Sequence, residues 1–205
     1  MEYWNTLITE KSWNVLKELN KKIKFTLIGG WAAYLWSHSH KSKDIDIVVE
    51  FGELEKIKKA YKLKKNDNLR KYEITIDEID VDIYVPYYSR LAVPAEDIRK
   101  YAEKIENFNV VKPEILLILK QAAEYDRQES EKGLKDRIDI MGILLNCDID
   151  SALYKEKLKE YRLMHYKSRL IEIVNTFRDL KYLTLNPREF KVKKREILNR
   201  LKKGP

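Results

Sequence analysis

Gly29-Gly30, followed after thirteen residues by Asp44-Ile45-Asp46, combines two residue types that together can handle a phosphate and a cation. Paired glycines let the main chain approach a phosphate where a Cβ would block it. On an extended segment, carboxylates one residue apart project to the same side. They repel each other unless a cation or a pair of donors stands between them. Mg²⁺ suits that position, and so does Mn²⁺, because each takes a few carboxylates and fills its remaining positions with water and phosphate oxygens.

The flanking segments give those residues their placement. Phe25-Thr26-Leu27-Ile28 reads as a short buried strand running into Gly29, and Trp31 to Trp36 as a helix whose N–H groups face the same point. Asp44 to Val49 reads as a second strand, with Ile45, Ile47 and Val49 on one face and Asp44 and Asp46 on the other. Tyr72–Ile76 and Ile79–Val85 alternate as two further strands joined by a tight turn at Asp77-Glu78. In the second, Ile79, Val81, Ile83 and Val85 share the core face, and Asp80, Asp82 and Tyr84 face away, so either aspartate could supply a third carboxylate.

Helical spacing predicts Thr9–Asn20 with Thr9 as N-cap, Glu53–Leu63 broken by the polar stretch Lys64–Asn68, and a helix after Pro94 near Ala95–Ile105. From Pro113 every periodic segment reads as helix: Glu114–Tyr125, Leu134–Asn146, Ser151–Arg162, Lys167–Leu180, and an Asn186-capped helix to Lys202. A second Asp-x-Asp, at Asp148 and Asp150, lacks a strand and a glycine turn and reads as turn and N-cap chemistry. The chain is therefore expected to be α+β, a small mixed β-sheet core with flanking helices followed by an all-α C-terminal region.

Composition narrows the classes. With 205 residues, 44% of them apolar, the chain can bury a sizeable core. Its one cysteine, Cys147, excludes an intramolecular disulfide and a thiolate metal cluster. No apolar run approaches the roughly 20 residues of a membrane span, and Met1-Glu2-Tyr3-Trp4 lacks a signal-peptide pattern. The expectation is a cytoplasmic protein with no membrane partner. Residues 151–205 carry 16 Lys/Arg against 6 Asp/Glu, whereas residues 1–150 carry 25 against 27, an asymmetry that suits a polyanionic partner for the tail.

Gly29-Gly30, Asp44-Ile45-Asp46-Ile47 and the later Val81-Asp82-Ile83 together resemble the nucleotidyltransferase superfamily with the DNA polymerase β-type core. Lys120-Gln121-Ala122-Ala123, with Arg127 and Lys135-Asp136-Arg137-Ile138-Asp139, resembles the abortive-infection branch of type IV toxin-antitoxin nucleotidyltransferases. The resemblance covers about residues 20–146. It implies a nucleotidyltransferase catalytic core over 1–112, helices completing the nucleotide site over 113–150, and a basic helical region over 151–205. It further implies that Asp44, Asp46 and Asp82 hold metal and act in catalysis, with Asp82 preferred to Asp80. Lys120 is expected to act as a catalytic basic group at the leaving pyrophosphate. Gly29, Gly30, Lys41, Ser42, Lys120, Arg127 and Asp136 are expected to bind the nucleotide.

Asp136 and Asp139 also suit helix-dipole stabilisation, Arg127 a solvated basic face, and Trp31, Tyr34 and Trp36 the core. His38 and His40 form an incomplete zinc set. The function implied is metal-dependent transfer of a nucleoside monophosphate (NMP) from a nucleoside triphosphate (NTP) to an acceptor. RNA or tRNA would be bound through the basic tail, with a toxin role and a cognate antitoxin as further implications. A small-molecule nucleotidyltransferase resembling the aminoglycoside-modifying enzymes, and a catalytically silent nucleotide- or RNA-binding module, are the alternatives.

Overall fold

The structure, a computed structural model, describes residues 6–183 and 185–202. They fall into two compact units. One runs to Leu35 and resumes over Lys41–Lys112; the other comprises Trp36–His40 and the chain from Pro113 onward.

The first unit contains α1 (Thr6–Lys22), β1 (Thr26–Ile28), α2 (Gly29–Ser37, whose last residues count with the second unit), β2 (Ile45–Val48), α3 (Phe51–Ala60), β3 (Lys64–Asn66), β4 (Lys71–Ile76), β5 (Ile79–Tyr84), the short α4 (Ala95–Ile98), β6 (Ala102–Ile105) and β7 (Phe108–Val111). The strands form one mixed sheet in the order β3-β4-β5-β2-β1-β7-β6. β1 runs antiparallel to β2 and parallel to β7, and β2 runs parallel to β5.

The expected alternation holds where the site is built. Ile45, Ile47, Val81 and Ile83 are fully excluded from solvent, which anchors β2 and β5 by their apolar face. Trp31 is equally buried. Its ring lies 4.9 Å from that of Trp13, and its Nε1 donates to Ser12 Oγ at 2.9 Å, so it belongs to the core as its type suggests.

Three expectations give way. Thr9 is not an N-cap: α1 begins at Thr6, and the Thr9 hydroxyl donates back to the Thr6 carbonyl at 3.0 Å inside the helix. The segment 95–105 is helical only to Tyr101, where a 3₁₀ turn ends it; Ala102–Ile105 instead pairs antiparallel with β7. Ile98, Tyr101 and Ile105 mimic a helical stripe, but hydrogen bonding to a neighbouring strand overrides that local pattern. The polar stretch after α3 is not simply a loop, since Lys64–Asn66 pairs with β4 as the outer strand of the sheet. Lysines are common on such edges because they discourage pairing with another chain.

The second unit contains α5 (Pro113–Asp126), α6 (Glu131–Asn146), α7 (Ser151–Glu160), α8 (His165–Thr176) and α9 (Pro187–Lys202). Side-chain caps start three of them. Ser130 Oγ accepts from Gly133 N at 3.0 Å ahead of α6. Asp150 accepts from the amides of Ala152 and Leu153, the N-cap role expected of the second Asp-x-Asp. Asn186 Oδ1 accepts from the amides of Arg188 and Glu189, while the Asn186 amide donates to Glu189 Oε2, a reciprocal capping box. Ile115, Leu116, Leu117 and Ile118 are all fully buried, so α5 starts apolar on every side.

The β4–β5 turn offers a direct test. Ile76 pairs with Ile79, leaving Asp77 and Glu78 as a two-residue loop with φ of +48° and +67°. Such a turn favours Asn-Gly. Replacing Asp77-Glu78 by Asn-Gly is expected to raise unfolding stability by about 1 kcal/mol in urea titration, because relief of strain at positive φ outweighs loss of the exposed Glu78–Lys11 pair.

Candidate active site

Gly29 sits at the junction of β1 and α2 with φ +68°, and a Cβ there would fall 2.0 Å from Asp46 Oδ2. The glycine is thus required twice, by the backbone conformation and by the carboxylate lying against the turn. Gly30 follows, buried, in the first turn of α2.

Strand register sets the remainder. Asp46 stands opposite Ile28 on β1 and opposite Asp82 on β5, with Ile45 opposite Val81 and Ile47 opposite Ile83. Asp44 lies just ahead of β2 and near enough to Asp82 to raise its pKa. Burial is the largest influence on Asp82 and moves its pKa above the ordinary value; Glu73 and Asp44 act with it and Lys71 against it. The Lys71 ammonium lies 2.6 Å from Asp82 Oδ2 and 3.2 Å from Glu73 Oε1. Asp80, on the same face of β5, is exposed and accepts from Thr75 Oγ1 at 3.2 Å. Ser42 is buried and Lys41 half-buried in the loop before Asp44.

Among the described residues, no three His, Cys, Asp or Glu side chains are gathered closely enough to enclose a metal ion as they stand. The donor set nonetheless suits one: Asp44, Asp46 and Asp82 are hard oxygen ligands whose positions adjoin across β2 and β5, and the absent Gly29 side chain leaves the Asp46 carboxylate its place.

The second unit brings together Lys120, Arg127 and Asp136, and adds Asp139 and His40. Lys120 Nζ lies 3.1 Å from Asp136 Oδ1 and 2.5 Å from Asp139 Oδ2. Arg127 places Nε and Nη2 each 2.8 Å from Asp136 Oδ2, and its side chain is 41% exposed. His40 Nε2 stands 2.7 Å from Asp139 Oδ1. Lys120, Asp136 and Asp139 are buried, so these carboxylates are partners in an interior ionic cluster and not N-terminal dipole groups. The helix terminus itself is served by Ser130.

Although burial opposes ionisation of Asp139 most strongly, Lys120 and then His40 outweigh it and hold the carboxyl well below its ordinary range. A parallel cluster joins α5, α6 and α8, where Glu124 receives Arg137 Nε at 2.8 Å and Arg169 Nε at 2.9 Å. The partnership of His40 with Asp139 is invisible to local pattern, because the two residues are distant in sequence. Cys147 is also inert by setting: burial, with help from Glu114, pushes its thiol up to about 12.

Two outcomes follow. Gly29→Ala should lower stability by about 1–3 kcal/mol in urea unfolding, through strain at positive φ and collision with Asp46. Asp139→Asn should cost about 1.5–3 kcal/mol at pH 7, because Lys120 keeps only Asp136 of its two buried carboxylate partners and His40 Nε2 loses the carboxylate it faces. Because the folded-state pKa of Asp139 is depressed, the wild-type benefit is complete above the unfolded value of about 3.9 and declines as pH falls below it. The gap between wild type and Asp139→Asn in urea titrations should therefore narrow below about pH 4.

No profile of a known protein family matches the chain, and no curated protein sequence does. Solved structures do. The crystal structure of JHP933 from Helicobacter pylori aligns over 96% of this chain and 93% of its own, with a TM-score of 0.52 and 17% identity. A structure from H. pylori described as a candidate nucleotidyltransferase aligns over 96% of both chains, also at 0.52 and 17%. At that identity what is shared is architecture: this chain, with Gly29 at the start of α2 and Asp46 and Asp82 on its sheet, has the fold of those two structures.

Proposed function

We propose that the protein is a metal-dependent nucleotidyltransferase that moves an NMP from an NTP to an acceptor hydroxyl, releasing pyrophosphate. The observation that carries this reading is the register of Asp46 against Asp82 on parallel strands, beside Asp44 and the Gly29 turn. Asp44, Asp46 and Asp82 would hold Mg²⁺, or Mn²⁺ in its place, and the bound cation would neutralise phosphate oxygens and lower the pKa of the attacking hydroxyl. Asp46 is positioned by contact with Gly29, and Asp82 by Lys71, which holds it through a charge-assisted bond. In-register placement supports Asp82 over the exposed Asp80 as the third carboxylate. The assignment of Lys120 to the leaving group, and of Lys41, Ser42, Arg127 and Asp136 to the nucleotide, rests on the sequence resemblance.

RNA, tRNA included, is the acceptor that the basic tail favours. On α9, Arg188, Lys191 and Arg195 are exposed and spaced three and four residues apart, which aligns them on one side of the helix. The similarity within residues 120–139 extends the reading to a toxin acting in the cytoplasm, with a cognate antitoxin as partner. No described helix is long and apolar enough to cross a membrane.

Incubation with Mg²⁺, cellular RNA and each α-labelled NTP in turn should place label in RNA from at least one nucleotide. Asp44→Ala should reduce incorporation by about a hundredfold or more, the scale of losing several kcal/mol of charge stabilisation. Label entering from γ-labelled ATP instead would mean phosphoryl transfer and end this reading. Asp82→Asn should abolish transfer while Asp80→Asn retains most of it, and full activity in both would overturn the third-carboxylate assignment.

A further inference from the structure

The first unit carries a cleft of about 470 Å³ between the C-terminal half of α3 and the outer strands, lined by Lys58, Lys62 and Lys65 together with Tyr61 and Tyr72. Its charge is concentrated locally, in a unit whose remaining residues are net negative. Residues 56–65 hold six lysines and no acidic residue. Lys56 pairs with Glu53 at 2.7 Å and Lys65 with Asp67 at 2.7 Å. Lys58, Lys59, Lys62 and Lys64 are exposed and make no ion pair within 4.0 Å among the described residues. One acidic side chain, Glu55, also borders the cleft.

Ordinary structural roles cover only part of this set. Lys58 and Lys59 complement the C-terminal dipole of α3, and Lys64 and Lys65 guard an edge strand. Lys62 belongs to neither element. Nor does either role call for two tyrosines in the same cleft. The Tyr72 ring lies 5.2 Å from that of Tyr88, which in turn has the Lys65 ammonium at 4.9 Å and the Arg70 guanidinium at 5.1 Å. Aromatic faces interleaved with cations, at the rim of an open groove, match a flexible polyanion with stacking bases.

Register locates the cleft relative to the carboxylates of the same unit. Tyr72 stands opposite Ile83, and Glu73 opposite Asp82. The tyrosine and the aspartate therefore belong to opposite faces of the β4–β5 pair. A strand reaching both would have to turn around the β3 edge, which a single strand can do and a stiff duplex cannot.

We propose that this cleft binds the single-stranded part of an RNA acceptor, with Lys58, Lys62 and Lys65 on its phosphates and Tyr61 and Tyr72 against its bases. The proposal deepens, and rests on, the reading of RNA as the acceptor.

The test is fluorescence anisotropy of the full chain with a short labelled single-stranded oligoribonucleotide, in a salt series without NTP or Mg²⁺. Lys58→Gln/Lys62→Gln/Lys65→Gln should lower the log-log salt slope by about 2, at roughly 0.7 per phosphate contact. Tyr72→Leu should weaken binding by roughly tenfold, and Tyr72→Phe should restore it. The lysines are exposed, so the triple variant should keep the wild-type thermal unfolding profile. Unchanged affinity and slope in the triple variant would overturn the proposal. So would displacement of RNA by poly-glutamate as effective as by poly(U), with no effect of Tyr72→Leu, which would indicate an acidic protein partner. Failure of the transfer reading is separable: wild type would then incorporate no label, while binding would still depend on the three lysines.

Discussion

Crowding of negative charge on one face of the sheet is the constraint around which the first unit is built. Asp46 and Asp82 stand on adjacent parallel strands with Asp44 beside them, and like charges so placed oppose their own assembly. What holds them is on the reverse face, where Ile45, Ile47, Val81 and Ile83 are fully buried. Burial of that many branched side chains stabilises by several kcal/mol, at about 1.5–3 kcal/mol each as an upper estimate. That exceeds the repulsion between partly solvated carboxylates. Lys71 supplies the remaining compensation from β4, so part of the counter-charge is built into the chain itself.

The second unit treats charge differently. Lys120, Asp136, Asp139 and His40 are enclosed, with Arg127 reaching in from a more exposed position. Glu124 with Arg137 and Arg169 repeats the arrangement further along α5. Buried pairs of this kind contribute little net stability compared with apolar packing, but each is costly to break, because the surviving partner is left without compensation. Together the pairs tie α5 to α6 through Lys120 and Glu124, and to α8 through Arg169.

Legibility of these features in the sequence follows the range of the interactions. The glycine turn, the alternation of β2 and β5, the helices after Pro113 and the Asp150 and Asn186 caps are local patterns, and each is present in the structure. Ala102–Ile105 and Lys64–Asn66 depart from their local pattern because edge strands acquire their state from a neighbour and carry little apolar signal of their own. The same limit governs the site. Asp44 and Asp46 stand out by spacing and Asp82 as one of two carboxylates on one face of β5, whereas Lys71 at Asp82 and His40 at Asp139 are partnerships of tertiary structure. Lys120 illustrates the intermediate case: its emergence from an apolar helix is readable, but its two carboxylate partners lie on α6.

The parallel pairing of β1 with β7, Leu27 against Val110, also bears on how the molecule comes into being. Parallel neighbours cannot be joined by a tight turn, so this sheet closes only when a strand near residue 110 meets one near residue 27. Pairing of β2 with β5 likewise waits for the chain between them, which carries α3, β3 and β4, to be made. Non-local contacts of this type slow folding, because loop entropy is lost before the contacts reward it. During synthesis, the Gly29 turn and Asp46 therefore leave the ribosome well before Asp82 can join them, and the nascent chain carries an incomplete carboxylate set until the sheet closes.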